Sequence, residues 1–224
     1  MFPEKTPLRI AKKCFPYYFN KIEFEIILQS LQYGRTIAMS GIFKAYDIRG
    51  VYPADINADI AEAIGRAYIE FTGAKKVVVG RDMRPHSQPL FEGLSRGMLA
   101  QGADVIDLCS TPMSYFANGT LKADGSVMIT ASHNPGEWNG FKLCRANAVP
   151  ISGATGIMDI QKIAEAKSWK KCDRPGKLSS YDIAPEYGKF LRSFAKMDRK
   201  LKVVVDYANA MGLYEIAGIT DLFD

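Results

Sequence analysis

Apolar positions recur along residues 57–167 with two alternating periods. After Asn57, whose side chain can cap a helix, Ile60, Ile64, Tyr68 and Phe71 share one helical face, so a helix is expected to about Phe71. Residues 75–79, with Val77, Val78 and Val79 in succession before Gly80, read as a buried strand. Ser87 is a second candidate cap, ahead of Leu90, Leu94 and Met98 at helical spacing. Residues 104–108 are expected to form a strand, Thr111 and Pro112 the cap and first turn of a helix to about Leu121, and residues 126–130 the next strand. A glycine-containing turn at residues 151–156 leads into a helix over residues 157–167. This alternation predicts a layered α/β domain around a largely parallel sheet. Ligands of such sheets gather beyond the carboxyl ends of the strands, and Arg81, Ser110, Thr111 and Ser132 all fall just past an expected strand end.

The two ends of the chain follow other patterns. Residues 1–38 mix Pro3, Pro7 and Pro16 with an aromatic cluster, Phe15, Tyr17, Tyr18 and Phe19. They read as an atypical extension, with Met39 as the expected natural start; an amphipathic interaction helix around residues 22–31 is the rival reading. Residues 173–180, which include Arg174, Pro175 and Gly176, read as a linker that follows a domain of residues 39–172. A helix near residues 185–197 and a strand at 202–206 come next. One strand and one helix cannot bury a core, so residues 181–224 are expected to be the cut-short beginning of a second domain.

Composition narrows the classes of function. With 224 residues, 47% hydrophobic and 24% charged, the chain can bury a sizeable core. The net charge of +5 is concentrated at the front, where residues 1–38 hold six Lys/Arg against three Asp/Glu. No basic stripe interleaved with aromatics appears elsewhere, which argues against a nucleic-acid partner. Cys14, Cys109, Cys144 and Cys172 are widely spaced and only two histidines are present, so no zinc motif forms. Reduced cysteines in a cytoplasmic protein are the simplest account. No segment approaches the roughly 18 apolar residues of a membrane span. Residues 22–31 are interrupted by Glu23, Glu25 and Gln29 and lack a secretory cleavage site.

Candidate chemistry centres on Thr130-Ala131-Ser132-His133-Asn134-Pro135, which follows the apolar run Val127-Met128-Ile129 and precedes Gly136, Gly140, Phe141 and Lys142. A strand that ends abruptly here presents a serine at its tip. A serine hydroxyl is a weak nucleophile and needs a base, a charge partner or a prior modification. The alternative is a polar turn with a satisfied histidine. A hydrolase triad is disfavoured, because adjacent residues on an extended chain point apart and the Gly-x-Ser-x-Gly elbow is absent. Arg81, Asp82 and Arg84 form a run past a strand that can brace a loop by mutual hydrogen bonds. Asn134 and Pro135 can fix the serine turn. No role falls to His86.

Together with Phe43-Lys44-Ala45-Tyr46-Asp47-Ile48-Arg49-Gly50, Gly80-Arg81-Asp82-Met83-Arg84 and Gly140-Phe141-Lys142, that serine segment resembles the motifs of the α-D-phosphohexomutase family, in its phosphomannomutase/phosphoglucomutase branch. The resemblance implies a three-layer α/β/α sandwich with a mixed, largely parallel sheet, followed by the truncated start of a second similar domain. It implies an isomerase that moves phosphate between O1 and O6 of mannose or glucose phosphate. The route runs through a phosphoserine at Ser132 and a hexose 1,6-bisphosphate that is both intermediate and activator. Lys142 matches the general acid/base. Arg49 and His133 lie by the phosphate, and Mg²⁺ binds through the Ser132 phosphate. Tyr46, Arg49, Asn134 and Lys142 are the matching substrate contacts. Residues 206–212 resemble the opening of the family's second domain, with Ala208 and Ala210 where glycine is usual. The family's metal loop, Asp-Gly-Asp-Gly-Asp-Arg, does not occur in these residues, so the chain alone is expected to be inactive. Two other readings compete: a non-enzymatic phosphosugar-binding module acting through a partner, and phosphoglucosamine mutase.

Overall fold

The computed structural model describes residues 39, 41–108, 113–208 and 210–224. The extension of residues 1–38, Cys109, Ser110, Thr111 and Pro112 lie outside the described residues. Strand β1 (Ile48–Val51) is followed by helix α1 (Ala58–Thr72). Asn57 starts α1 as expected: its Oδ1 accepts the Asp59 and Ile60 amides at 3.1 and 3.0 Å. Gly73 ends it in a left-handed turn, φ 68°, which only glycine adopts without strain. Then come β2 (Lys76–Arg81), α2 (Ser87–Ala100), β3 (Asp104–Asp107), α3 (Met113–Thr120), β4 (Gly125–Ile129) and β5 (Trp138–Arg145). The chain continues through α4 (Met158–Ala166), β6 (Leu178–Ser180), α5 (Ala184–Phe194) and a short α6 (Gly212–Glu215).

The six strands lie in the order β1-β5-β4-β2-β3-β6. β2 runs parallel to both β4 and β3, and β3 parallel to β6. β5 is antiparallel to β4 on one side and to β1 on the other. The sheet is therefore mixed and largely parallel. Successive side chains of a strand point to opposite faces. Val77 and Val79 accordingly join one apolar cluster with Val105, Val127 and Ile129, while Val78 joins a second with Leu108, Met113, Ala117 and Ile183. The first cluster packs under α1, α2 and α4; the second packs under α3 and the start of α5. Helices on both faces of one sheet make the three-layer arrangement. Each fully buried Val, Leu or Ile contributes about 1.5–3 kcal/mol through apolar burial.

Helices α1 and α2 approach closely. A Cβ on Gly97 would lie 2.1 Å from the Glu62 carbonyl oxygen, so only glycine fits that crossing. Beside it, the buried Glu62 carboxylate accepts Arg66 of its own helix at 2.9 Å and Arg96 of α2 at 2.7 Å. Burial alone would raise the Glu62 pKa, but the hydrogen bonds and charge of Arg96 and Arg66 outweigh it and hold the group below its ordinary value.

Four elements differ from the sequence reading. Strands β1 and β5 were not expected, because Arg49, Gly50, Asn139, Gly140 and Lys142 break the apolar pattern. Leu178–Ser180, inside the stretch read as a linker, forms an edge strand on β3. Residues 202–206, read as a strand, pair with no strand among the described residues; the Val203 amide reaches only the Asp224 carbonyl, and Val204 is fully exposed. β-propensity does not make a strand without a partner to take its backbone groups. Ser87 does not cap α2: it is the helix's first residue, and its hydroxyl serves Asp82 instead.

Two outcomes test this packing. Gly97→Ala is expected to destabilise the protein by about 1–3 kcal/mol through forced separation of α1 and α2, read as a lower urea midpoint with unchanged slope. Glu62 titrates below its unfolded value of about 4.3, so its contribution is present above that pH and is lost as pH falls through the lowered native value. The urea-midpoint gap between the wild type and Glu62→Gln should be widest above about pH 5 and shrink on acidification.

Candidate active site

Strand β4 is buried along its whole length and ends at Ile129, and the chain then leaves the sheet at its carboxyl rim. The Thr130 amide still pairs with the Gly140 carbonyl at 3.0 Å. Ala131 is buried, whereas Ser132 and His133 are exposed. Ser132 adopts φ 57°, the left-handed region, which costs a non-glycine residue about 1–2 kcal/mol. Local hydrogen bonds hold it there: its amide donates to Thr130 Oγ1 at 2.9 Å, and the Asn134 amide donates to the Ala131 carbonyl at 3.0 Å. This twist also brings adjacent side chains together. Ser132 Oγ lies 3.4 Å from His133 Nδ1, a proximity that an extended chain forbids. Among the described residues no carboxylate bonds His133, so no Ser/His/Asp triad forms.

Arg84 clamps the serine loop from the β2–α2 connection. Its Nη1 donates to the Pro135 and Trp138 carbonyls at 2.6 and 3.0 Å, and its Nη2 to the Ser132 and Asn134 carbonyls at 3.3 and 2.7 Å. Its Nε donates to Asp82 Oδ2 at 3.2 Å. All five guanidinium N–H groups are thus used, four of them on backbone oxygens of one turn. Asp82 is itself held by the Ser87 hydroxyl at 2.6 Å and the Arg84 amide at 3.1 Å. The expected bracing role of Asp82 and Arg84 is therefore what the geometry provides. Arg81 differs: it lies within β2, pairs with Asp107 of β3 through both guanidinium nitrogens, and stacks over Phe91 at 4.5 Å. It braces the sheet rather than the serine loop.

Arg49, on β1, reaches the other side of the turn. Its Nη1 donates to the Ala131 carbonyl at 3.2 Å and to Asn134 Oδ1, and its Nε to Asp47 Oδ2 at 2.7 Å. The same Asp47 oxygen accepts Lys142 Nζ of β5 at 3.3 Å. One carboxylate therefore holds both cations beside the serine loop. β1 lies close enough for this because Gly140 faces it: a Cβ there would sit 1.9 Å from the Ile48 carbonyl oxygen. Ser132, His133, Asn134, Arg49 and Lys142 are thus linked in one neighbourhood. Tyr46 is 80% exposed and stands in solvent next to it. Ser110 and Thr111 lie outside the described residues.

Sequence reasoning missed two contributors, His86 and the fully buried Asn139, and for Asp47 it weighed only an ion pair with Arg49, not the shared hold on Lys142. His86 Nε2 lies 2.9 Å from the Gly136 carbonyl, and Asn139 Nδ2 is 2.8 Å from His86 Nδ1. For Asn139 the available signal was an asparagine between Trp138 and Gly140, just ahead of Phe141, since a buried asparagine in a strand needs partners. The described residues do not fit a magnesium cage. They bring no three His, Cys, Asp or Glu side chains together, and Asp47 is committed to two cations. Cys144, on β5, is buried and its thiol is pushed up by that burial. Among the described residues no helix is long and apolar enough to cross a membrane.

Fold and loop together define an α/β/α domain that presents a serine at the carboxyl rim of its sheet, in a loop held by Arg84 and Arg49. Residues 40–171 match the family model described as phosphoglucomutase/phosphomannomutase, alpha/beta/alpha domain I. A phosphomannomutase of Escherichia coli is 46% identical over 174 residues, which covers 75% of this chain and 38% of that protein. A phosphomannomutase of Klebsiella pneumoniae is 48% identical over 149 residues, covering 65% of this chain and 95% of its partner in the match. The crystal structure of a phosphoglucomutase/phosphomannomutase family protein from Burkholderia thailandensis superposes with a TM-score of 0.70 at 31% identity, covering 80% of this chain and 42% of that one. The chain belongs to the phosphoglucomutase/phosphomannomutase family. It spans 38% of the length of its Escherichia coli relative.

Arg84→Lys keeps the charge but supplies three donors on one nitrogen, too few and too clustered for four carbonyls. Chymotrypsin cleavage after Trp138 should then accelerate roughly tenfold or more, while the urea transition of the domain remains cooperative.

Proposed function

We propose that this chain is the serine-bearing part of a phosphohexomutase that moves phosphate between O1 and O6 of mannose or glucose phosphate. The observation that carries this reading is the Ser132 turn. Ser132 is exposed in a left-handed conformation, the backbone of its turn is gripped by four of the five guanidinium N–H groups of Arg84, and Arg49, His133 and Lys142 lie in the same neighbourhood. The relatives bear the name phosphomannomutase, which favours mannose or glucose over glucosamine as the hexose.

In this reading Ser132 carries a phosphoryl group in the resting state. A phosphoserine adds about −1.5 to −2 of charge and several acceptor oxygens. Arg49 and His133 offset that charge and orient the oxygens; Arg49 is fixed for this by Asp47 and Asn134. The bond from phosphorus to the serine oxygen breaks as one forms to a sugar hydroxyl. The hydroxyl proton passes by way of Lys142, the proposed proton carrier, to the departing serine oxygen. The resulting hexose 1,6-bisphosphate turns over, its other phosphoryl group returns to Ser132 Oγ, and the serine proton returns by way of Lys142 to the departing sugar oxygen. Such transfer depends on positioning and charge neutralisation more than on covalent activation. Tyr46, exposed at the rim, and Asn134 complete the proposed sugar contacts. External hexose 1,6-bisphosphate loads the serine and acts as activator.

Mg²⁺ bound through the Ser132 phosphate would stabilise the charge of the transferred group. Its carboxylate ligands are not among the described residues, and for that reason we assign no turnover to the 224 residues by themselves. Residues 181–224 we assign to the beginning of a second domain, which would give the exposed Val203, Val204 and Val205 a neighbouring strand. The free thiols of Cys144 and Cys172 suit a reducing, cytoplasmic setting.

Tryptic digestion yields a peptide of residues 123–142 that contains Ser132. In protein isolated from its native host, this peptide should carry one phosphate located on Ser132, and Ser132→Ala should abolish it. A peptide that stays unmodified after incubation with hexose 1,6-bisphosphate and Mg²⁺ would overturn the serine assignment. Isomerisation of hexose phosphates by the isolated 224-residue protein would overturn its incompleteness and leave the serine assignment standing.

A further inference from the structure

The geometry points to His86 as a positioning residue for the Ser132 loop, locked as the neutral tautomer with its proton on Nε2. The polarity of the chain of bonds around it is fixed at both ends by backbone groups. The Gly140 amide can only donate, and it donates to Asn139 Oδ1 at 2.8 Å. The amide nitrogen of Asn139 therefore faces the other way, toward His86 Nδ1 at 2.8 Å and Ser87 Oγ at 2.9 Å. Both of its hydrogens are used, and His86 Nδ1 is left as an acceptor. The proton then resides on Nε2, which donates to the Gly136 carbonyl at 2.9 Å, a group that can only accept. Ser87 in turn passes its hydroxyl hydrogen to Asp82, the carboxylate that seats Arg84. Asn139 is fully buried, which leaves its side chain no water to exchange with.

This chain grips the serine loop at a different place from Arg84. Arg84 binds the carbonyls of Ser132, Asn134, Pro135 and Trp138, and Gly136, between them, is left to His86. The imidazole is held in plane by the Tyr52 ring, stacked at 4.9 Å with 16° between planes, and the Tyr52 amide takes the next carbonyl, that of Glu137, at 2.8 Å. Between them, Arg84, His86 and Tyr52 engage every carbonyl of the turn from Asn134 to Trp138. The relevance of this grip to phosphoryl transfer rests on the proposed role of Ser132; the grip itself does not.

The test uses the whole 224-residue protein. Nitrogen-15 spectra of the two imidazoles, assigned with His133→Gln, should show His86 at neutral pH with a protonated Nε2 and an unprotonated, hydrogen-bonded Nδ1. Its replacement by phenylalanine keeps a flat ring against Tyr52 but removes both bonds. In His86→Phe the amide exchange of Asn134 and Trp138 should rise roughly tenfold, with strands β2 and β3 unchanged. His86→Gln, which can place an N–H near the position of Nε2, should recover much of that protection. A proton on Nδ1, rapid averaging between tautomers, unchanged loop exchange in His86→Phe, or equal loss of protection throughout the domain would each overturn the proposal. Ser132→Ala should leave the His86 tautomer untouched, so failure of the phosphoserine assignment and failure of this one give different results.

Discussion

The site depends on a single guanidinium satisfying the backbone of an irregular turn. Residues 132–137 link β4 to β5 without entering a helix, and their carbonyls, with that of Trp138 at the start of β5, need partners from elsewhere. Arg84 takes four of them at once, and its remaining N–H anchors the whole assembly to Asp82. Those bonds are charge-assisted and geometrically forked, which a lysine cannot reproduce. They permit a serine to rest in a conformation that its own Cβ disfavours, and that conformation turns the hydroxyl out toward solvent beside an imidazole.

Charge is arranged with similar economy. Asp47 accepts from both Arg49 and Lys142, so one anion sets the position of two cations that come from different strands. A cluster of unpaired positive groups would repel itself in the absence of a phosphate. Sharing a carboxylate removes that penalty and keeps each cation within reach of the serine turn. The two cations are thereby fixed in place without the help of any ligand.

Much of the scaffold was legible from residue order because local signals agreed with one another. Helix α1 had a capping asparagine, a four-membered apolar face and a terminal glycine; β2 and β4 had continuous apolar runs bounded by turns. Strands β1 and β5 were not legible, since Arg49, Asn139 and Lys142 interrupt the apolar pattern, and β6 is three residues long with two of them serine. Residues 202–206 looked like a strand because three valines sit together, but a ladder needs a neighbour that the sequence alone does not name. At the site, motifs named Ser132, Arg49 and Lys142 as candidates, and the structure brings them into one neighbourhood. The reach of Arg84 across the loop, the shared use of Asp47 and the link from Asn139 through His86 were not legible. Each depends on segments distant in sequence meeting in space. Arg81 shows the converse: it belongs to a motif beside the site, yet it serves the seam between two strands.

The change from parallel to antiparallel pairing between β4 and β5 has a consequence of its own. Because β5 returns directly alongside β4, with Met128 opposite Lys142, the serine turn is the tip of a hairpin whose second arm carries the lysine. The turn that carries Ser132 and the strand that carries Lys142 are therefore parts of one continuous hairpin rather than of separate lobes. Movement elsewhere in the chain leaves that connection intact, which makes the hairpin a self-contained cartridge.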